Sequence, residues 1–437
     1  MNMRRLTALL MAVVFCLSFV ACSGVESEED NLLSAPRLEG DLAPIQQALE
    51  EYAGEDITLK YPVSGEYRSA LIIKDVTGDG RNEAVAFYST TVDKTVTMHI
   101  NVIASNGKRW ASIGDLSLVG SGVESVSFSD LDGNGTVDII VGWNIYGNVD
   151  KQVGVYTFDT GKPVQRVLEP YTTFICEDVT EDGINDLSVI YLNAAEKTAL
   201  AKVIALTDMG ISELGQVPLD GGVTSYSEPI ISTLKNGTPA IYIDAVKGAG
   251  MQTEIIWFED GQLKALFDPE APETSLTYRA NAVASRDYNG DGIIDLPLAE
   301  ILASTANLSE ADKVWFTNWS SFDGEKFVLV TSTFMNYSDG YALAVPEHLK
   351  TKLHLVRRIQ DRLRIFYTYD LEGGVVGDEV FRYIAVIPAE YEGGGLQEEG
   401  YFLLEKTDTL YYLGAVRQDN ELGITEKNVR DMFSIIK

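Results

Sequence analysis

Apolar and polar residues alternate along most of this chain in short runs bounded by glycine, aspartate and asparagine. That is the period of half-buried strands joined by tight turns. Ala84-Val-Ala-Phe-Tyr88 and Ile139-Ile-Val-Gly-Trp143 are continuous apolar runs suited to inner strands. Ile255-Ile-Trp-Phe-Glu-Asp-Gly-Gln-Leu-Lys-Ala-Leu-Phe267 reads as two strands folded back at Asp260-Gly261. Similar turn pairs stand at Asn106-Gly107, Thr160-Gly161, Met209-Gly210 and Asp323-Gly324. Asn-Gly and Asp-Gly tolerate positive φ at both central positions, so they predict hairpins; Thr-Gly and Met-Gly are weaker members of the series.

These turns keep step with a second signal. Asp75-Val-Thr-Gly-Asp-Gly-Arg-Asn-Glu83, Asp130-Leu-Asp-Gly-Asn-Gly-Thr-Val-Asp138, Asp178-Val-Thr-Glu-Asp-Gly-Ile-Asn-Asp186 and Asp287-Tyr-Asn-Gly-Asp-Gly-Ile-Ile-Asp295 align without gaps. A further copy, Ser232-Thr-Leu-Lys-Asn-Gly-Thr-Pro-Ala240, keeps the glycine and has lost every acid. The five starts are separated by 55, 48, 54 and 55 residues. A fixed period near 50 residues with about four strands per unit predicts a β-propeller. The expected fold is mainly β, a propeller of about five to seven blades with calcium loops, followed by a small α+β domain.

The repeat stops near Met335. Strands are predicted beyond it at Tyr341–Val345, Lys352–Arg358, Arg362–Tyr369, Tyr383–Ile387, Tyr401–Glu405 and Leu410–Leu413, and a helix over Glu426–Ile436 capped by Thr425. Lys350, Lys352, Arg357, Arg358, Arg362 and Arg364 gather basic charge here. They read as the charged solvent face of a hairpin, or as a surface docking on acidic partners.

The amino terminus is of a different kind. Arg4 and Arg5 precede an apolar run from Leu6 to about Val20, too short to span a bilayer and shaped like an export signal. The segment Leu17-Ser18-Phe19-Val20-Ala21-Cys22 resembles a bacterial lipobox, which implies cleavage before Cys22 and lipid on its sulfur. Residues 23–40 carry Glu26, Glu28, Glu29 and Asp30 and read as a tether. The predicted organisation is therefore a signal at 1–22, a tether at 23–40, a propeller at 41–334 and an α+β domain at 335–437. The predicted location is extracytoplasmic, with the membrane reached by the lipid alone.

Charge narrows the partners. Lys and Arg total 34 against 65 Asp and Glu, a net charge of −31, which disfavours nucleic acid and anionic lipid. The same surplus suits divalent cations. Of Cys16, Cys22 and Cys176, only Cys176 lies in the folded part, so no internal disulfide is expected.

Calcium takes six to eight oxygens at roughly 2.3–2.6 Å. A loop wrapped on one ion presents side chains at positions 1, 3, 5 and 9 and a carbonyl at position 7. The candidates are Asp75, Thr77, Asp79, Glu83 and the Arg81 carbonyl in the first loop; Asp130, Asp132, Asn134, Asp138 and the Thr136 carbonyl in the second; Asp178, Thr180, Asp182, Asp186 and the Ile184 carbonyl in the third; and Asp287, Asn289, Asp291, Asp295 and the Ile293 carbonyl in the fourth. These are not EF-hands, because position 12 is Ala86, Val141, Val189 or Leu298 where that loop requires a bidentate Glu. Inward carboxylates so close repel unless a cation lies among them.

The loops resemble the FG-GAP/VCBS repeats of bacterial surface proteins and the calcium loops of the integrin α-chain propeller. The resemblance covers about residues 57–330; the Gly-Ala-Pro element of that family is not visible, and Thr77 and Thr180 replace an acid. It implies a monomeric calcium-stabilised module for binding, adhesion or scaffolding, with a surface protein or polysaccharide as partner. Catalytic signatures are missing: His99, His348 and His354 are scattered, and no nucleophile elbow or phosphate loop is present. The alternative is a surface-glycan hydrolase or lyase with its site in the propeller funnel, since such enzymes need only two carboxylates.

Overall fold

A computed structural model describes residues 42–145, 151–158, 161–207, 210–271 and 275–436. The export signal, Cys22, the tether, Thr160 and Met209 lie outside the described residues.

The chain is mainly β. Six antiparallel sheets of four or five strands account for the strands described. The first holds Thr58–Leu59, Leu71–Lys74, Glu83–Val92, Thr95–Ser105 and Trp110–Val119, and the second Gly122–Ser129, Asp138–Asn144, Gln152–Thr157 and Val164–Pro170. The third holds Thr173–Glu177, Asp186–Asn193, Thr198–Thr207 and Gly210–Leu219. In the second and third sheets consecutive strands pair throughout, the meander order of a propeller blade; in the first, Thr58–Leu59 and Leu71–Lys74 both pair with Glu83–Val92. Inner strands are apolar because both faces are covered: the first seven residues of Glu83–Val92 and the first six of Asp138–Asn144 are all buried.

The chain forms two compact units, one reaching to Ser129 and including Gly135–Leu168, the other made of Asp130–Asn134 and Glu169 onward. In the first unit, Trp143 is fully buried, donates its indole N–H to the Tyr156 hydroxyl at 2.8 Å, and packs in a core with Phe87, Ile100 and Val141. A helix, Ala43–Ala53, places Ile45, Ala48 and Leu49 on the first sheet against Leu71, Ala86 and Tyr88.

In the second unit, the fourth sheet carries Ile230–Thr233, Pro239–Lys247, Gly250–Glu259 and Gln262–Ala265, with Ser225–Tyr226 beside them. The fifth carries Leu296–Ile301, Trp315–Phe322, Phe327–Asn336 and Tyr341–Ala344. The sixth carries Leu353–Arg358, Leu363–Asp370, Val375–Val386, Tyr411–Val416 and Phe402–Lys406. One core runs through the last two sheets, from Leu302, Phe316 and Phe334 to Phe381, Tyr412 and Val429.

Two expectations are corrected here. The last helix covers only Glu426–Met432, with Thr425 as its cap; Phe433–Ile435 is a strand paired with Tyr341–Ala344. The open edge of that strand offers backbone partners that the helical pattern does not reveal. The basic residues form no patch. Lys350 is buried between Glu300, Glu347 and the Ser332 hydroxyl, and Arg364 is buried against Asp339. Arg358 pairs with Asp361, and Arg357 donates to the Ala311 carbonyl.

Candidate metal centre

Each acidic loop is closed by the same backbone pair. The residue before position 1 faces position 9: Lys74 opposite Glu83, Ser129 opposite Asp138, Glu177 opposite Asp186 and Arg286 opposite Asp295. In the acid-free copy the ladder runs further in, to Ser232 opposite Ala240 and Thr233 opposite Pro239. That copy is thus zipped further into its turn than the acidic loops are. Position 6 needs glycine in all five copies, since Gly80, Gly135, Gly183, Gly237 and Gly292 have φ of 82, 85, 89, 95 and 86°.

Side chains then organise each loop. The position-1 carboxylate accepts backbone N–H groups from across the turn: Asp75 from Gly78 and Gly80 at 2.8 and 2.9 Å, Asp178 from Asp182 and Gly183 at 3.2 and 2.8 Å, Asp287 from Gly290 and Gly292 at 2.7 and 2.8 Å. Asp130 accepts from the Asn134 N–H at 3.2 Å. Position 5 accepts from position 7, as Asp79 does from Arg81, Asp182 from Ile184 and Asp291 from Ile293. Position 9 is buried in every loop: Glu83, Asp138 and Asp186 are 2% exposed and Asp295 is 0%. Glu83 accepts the Val76 and Thr77 N–H groups, Asp186 the Val179 N–H and the Thr180 hydroxyl, and Asp295 the Tyr288 N–H and the Ser321 hydroxyl.

Burial drives Glu83, Asp186 and Asp295 toward the neutral form, aided by repulsion from the acids at positions 1 and 5 of their loops. Glu83 and Asp295 are pushed up, and Asp186 is pushed up to about 6. A cation placed among these oxygens reverses the sign of that effect.

The second loop brings its acids closest. Carboxylate oxygens of Asp130, Asp132 and Asp138 all lie within 4.8 Å of one another, and no other group of three acids, histidines or cysteines among the described residues does so. The other loops have local reasons. Thr77, Thr180 and Asn289 stand where Asp132 supplies an acid. Arg81 ties up Asp79 through a 2.9 Å ion pair, and the Asn289 amide donates to Asp291 at 2.9 Å. The donors throughout are carboxylate, hydroxyl, amide and carbonyl oxygens, a set that suits calcium and not zinc or copper.

Consecutive loops also touch. A Cβ on Gly78 would meet the Thr136 hydroxyl at 2.4 Å, and one on Gly133 would meet the Ile184 side chain at 2.6 Å. The position-7 side chain of one loop therefore fills the space left by the position-4 glycine of the loop before it. The acid-free copy buttresses the fourth loop: the Ser232 hydroxyl donates to the Gly292 carbonyl at 2.9 Å.

Two polar clusters escaped the reading of the sequence. His99 lies between Asp115 and Thr90, with ring nitrogens 2.9 Å from each, and stacks on Tyr88. Their period-2 positions on adjacent strands hold the only hint in the sequence. Asp220 and Glu254 are both buried and share the Gln252 amide, which donates to them at 3.0 and 2.9 Å.

No family model matches the chain, and no curated protein does. Among solved structures, a rhamnogalacturonan lyase from Bacillus licheniformis is similar at 14% identity over 57% of this chain, with a TM-score of 0.31; the chain spans 64% of that enzyme's length. A protein from Lactobacillus plantarum is similar at 10% identity, 72% of this chain, 84% of that one and a TM-score of 0.29. A periplasmic gluconolactonase from Pseudomonas aeruginosa is similar at 12% identity, 75% of this chain, 89% of that one and a TM-score of 0.23. None of these similarities brings an activity to this chain.

Proposed function

We propose that this is an exported, lipid-anchored protein of the FG-GAP/VCBS kind, whose β-propeller is held by calcium in the four acidic loops and serves as a binding or scaffold module at the cell surface. The observation that carries the reading is the second loop, where three carboxylates converge within 4.8 Å on a donor set made of hard oxygens. The shared register of all four loops and the burial of every ninth-position acid support the same role for the others. The role of the ion is structural. It neutralises buried acids at the corner where the first strand of a repeat turns into the second.

A ligand that binds only the folded state stabilises by RT ln(1 + [L]/Kd), about 2.7 kcal/mol per site at a hundredfold excess. Extracellular calcium modules bind at roughly 10⁻⁴–10⁻³ M, so millimolar calcium should fill the sites in part. Melting is followed by calorimetry with millimolar calcium and with chelator. The midpoint rises with calcium, and Asp130→Ala removes one site's share of the rise. An identical melt in calcium and chelator overturns the reading.

A further inference from the structure

At two steps of the repeat the position-4 glycine of one loop is covered by the position-7 side chain of the next, Gly78 by Thr136 and Gly133 by Ile184. The third step departs from that pattern. Position 4 of the third loop is Glu181, held at φ 62° where the other acidic loops have glycine, and position 7 of the acid-free copy is Thr238. These two residues line one cavity of about 350 Å³. The contact that closes the earlier steps is replaced here by open space.

The wall of the cavity is apolar. Val179 comes from the third loop, Leu214 from Gly210–Leu219, Pro239 from the start of Pro239–Lys247 and Phe258 from Gly250–Glu259. Leu214 and Phe258 pack on the core shared by the third and fourth sheets and are only half-buried, so a firm apolar surface faces the opening. Two carboxylates complete the lining, Glu181 and Asp260, both on exposed residues. They stand on separate turns, and each backbone is held in the left-handed region, at φ 62 and 51°. Among the described residues no Lys, Arg or His lines the cavity.

We propose that this cavity seats a lysine side chain of a protein partner. The apolar stem lies on Val179, Leu214, Pro239 and Phe258, and the ammonium meets the carboxylates of Glu181 and Asp260. Each part of the lining selects against other occupants. Its carboxylates, in a protein of net charge −31, repel anionic sugars and acidic peptides. Its apolar wall gives nothing to a hydrated metal ion. Its volume stands at the low end for ligand pockets, roughly 300–1,000 Å³, and suits one side chain better than a polymer. An ammonium is a compact cation with three rotatable donors, able to serve two carboxylates from separate turns, whereas the planar guanidinium fork matches a single carboxylate.

The inference rests on the binding-module reading and names the chemistry of the partner; neither Glu181 nor Asp260 is a candidate calcium ligand, so it does not depend on the ion. Fluorescence anisotropy follows a labelled lysine–glycine repeat peptide, the same peptide with every lysine acetylated, and its arginine counterpart, at physiological salt and constant calcium. The lysine peptide should bind best and the acetylated one not at all. Glu181→Gln combined with Asp260→Asn should weaken binding about tenfold, the scale of two partly exposed ion pairs. Glu398→Gln combined with Glu399→Gln, exposed acids outside the cavity, should leave it unchanged and so separates the seat from diffuse attraction to an acidic protein. Thr238→Phe fills the cavity, keeps both charges and should abolish binding; if it unfolds, the exposed charge variants still decide. No binding of the lysine peptide, tighter binding of the arginine peptide, equal loss in the two charge variants, or unchanged binding in a folded Thr238→Phe each overturns the proposal. A calcium-independent melt with cavity-dependent peptide binding would remove the calcium reading and leave this one standing, and a calcium-dependent melt without peptide binding would do the reverse.

Discussion

Glu254 gives the fold a pH dependence whose size follows from its surroundings. It is 2% exposed and lies against a second buried acid, Asp220. The Gln252 amide bridges the two, the Asp220 backbone N–H donates to Glu254 at 3.3 Å, and Lys247 pairs with Asp220 at 2.5 Å. Lys247 therefore neutralises Asp220, and Glu254 is left to bear the cost of burial. Desolvation is the main cause, repulsion from Asp220 adds to it, and the carboxyl is pushed up to about 7 from 4.5. The folded state holds this proton more tightly than the unfolded chain does. The resulting stabilisation is complete below pH 4.5 and is lost as pH rises through about 7. At 1.36 kcal/mol per pH unit the loss is roughly 3 kcal/mol. Glu254→Gln keeps an acceptor for the Asp220 N–H and carries no charge at any pH. Part of the loss has already occurred at pH 5, where the unfolded carboxyl is mostly ionised, so guanidinium unfolding at pH 5 and pH 8 should show the wild type losing about 2–3 kcal/mol more than the variant between the two. Asp186 titrates in the same direction in both proteins and cancels in the comparison. Equal losses in wild type and variant would refute the argument.

Position 4 of the loops should respond in opposite directions. Glu181 sits at φ 62° where its counterparts are glycine, so Glu181→Gly should raise the free energy of unfolding by about 1 kcal/mol, whereas Gly133→Ala, at φ 71° and against Ile184, should lower it by about as much or more, both read by denaturant titration. Arg279→Met leaves Asp244 buried without its partner and should cost about 3–5 kcal/mol in the same assay, since Thr253 and Ser285 cannot replace the charge. Cys22→Ala should move the protein from the detergent phase to the aqueous phase in Triton X-114 partitioning; unchanged partitioning would contradict the lipid anchor.

Much of the β architecture was legible because it depends on local chemistry. The Asp260-Gly261 turn has φ of 51 and 72°, the doubly positive pair that the sequence demands. The runs 84–88 and 139–143 lie inside inner strands, as their lack of polar positions implies. The turn at Asp93 and Lys94 was not legible, because φ of 49 and 67° is adopted there without glycine, under the register of the strands it joins. The strand Phe433–Ile435 was hidden for a similar reason: its partner is about ninety residues earlier in the chain. For the loops, residue type and spacing pointed to the acids, and only the structure separates Asp130, Asp132 and Asp138, drawn together, from Asp79, turned to Arg81. The burial of Lys350 and Arg364 was equally invisible, since their acid partners come from other strands and turns.

The central claim is that the repeated aspartate loops are cation sites. Isothermal titration of calcium into the chelator-treated protein tests it most directly. The account predicts uptake of about four ions per chain, one for each acidic loop and none for the copy at Ser232–Ala240, with one ion fewer in Asp130→Ala. No heat of binding up to millimolar calcium, or a count unchanged in Asp130→Ala, would show the loops to be acidic turns held by their own backbone hydrogen bonds.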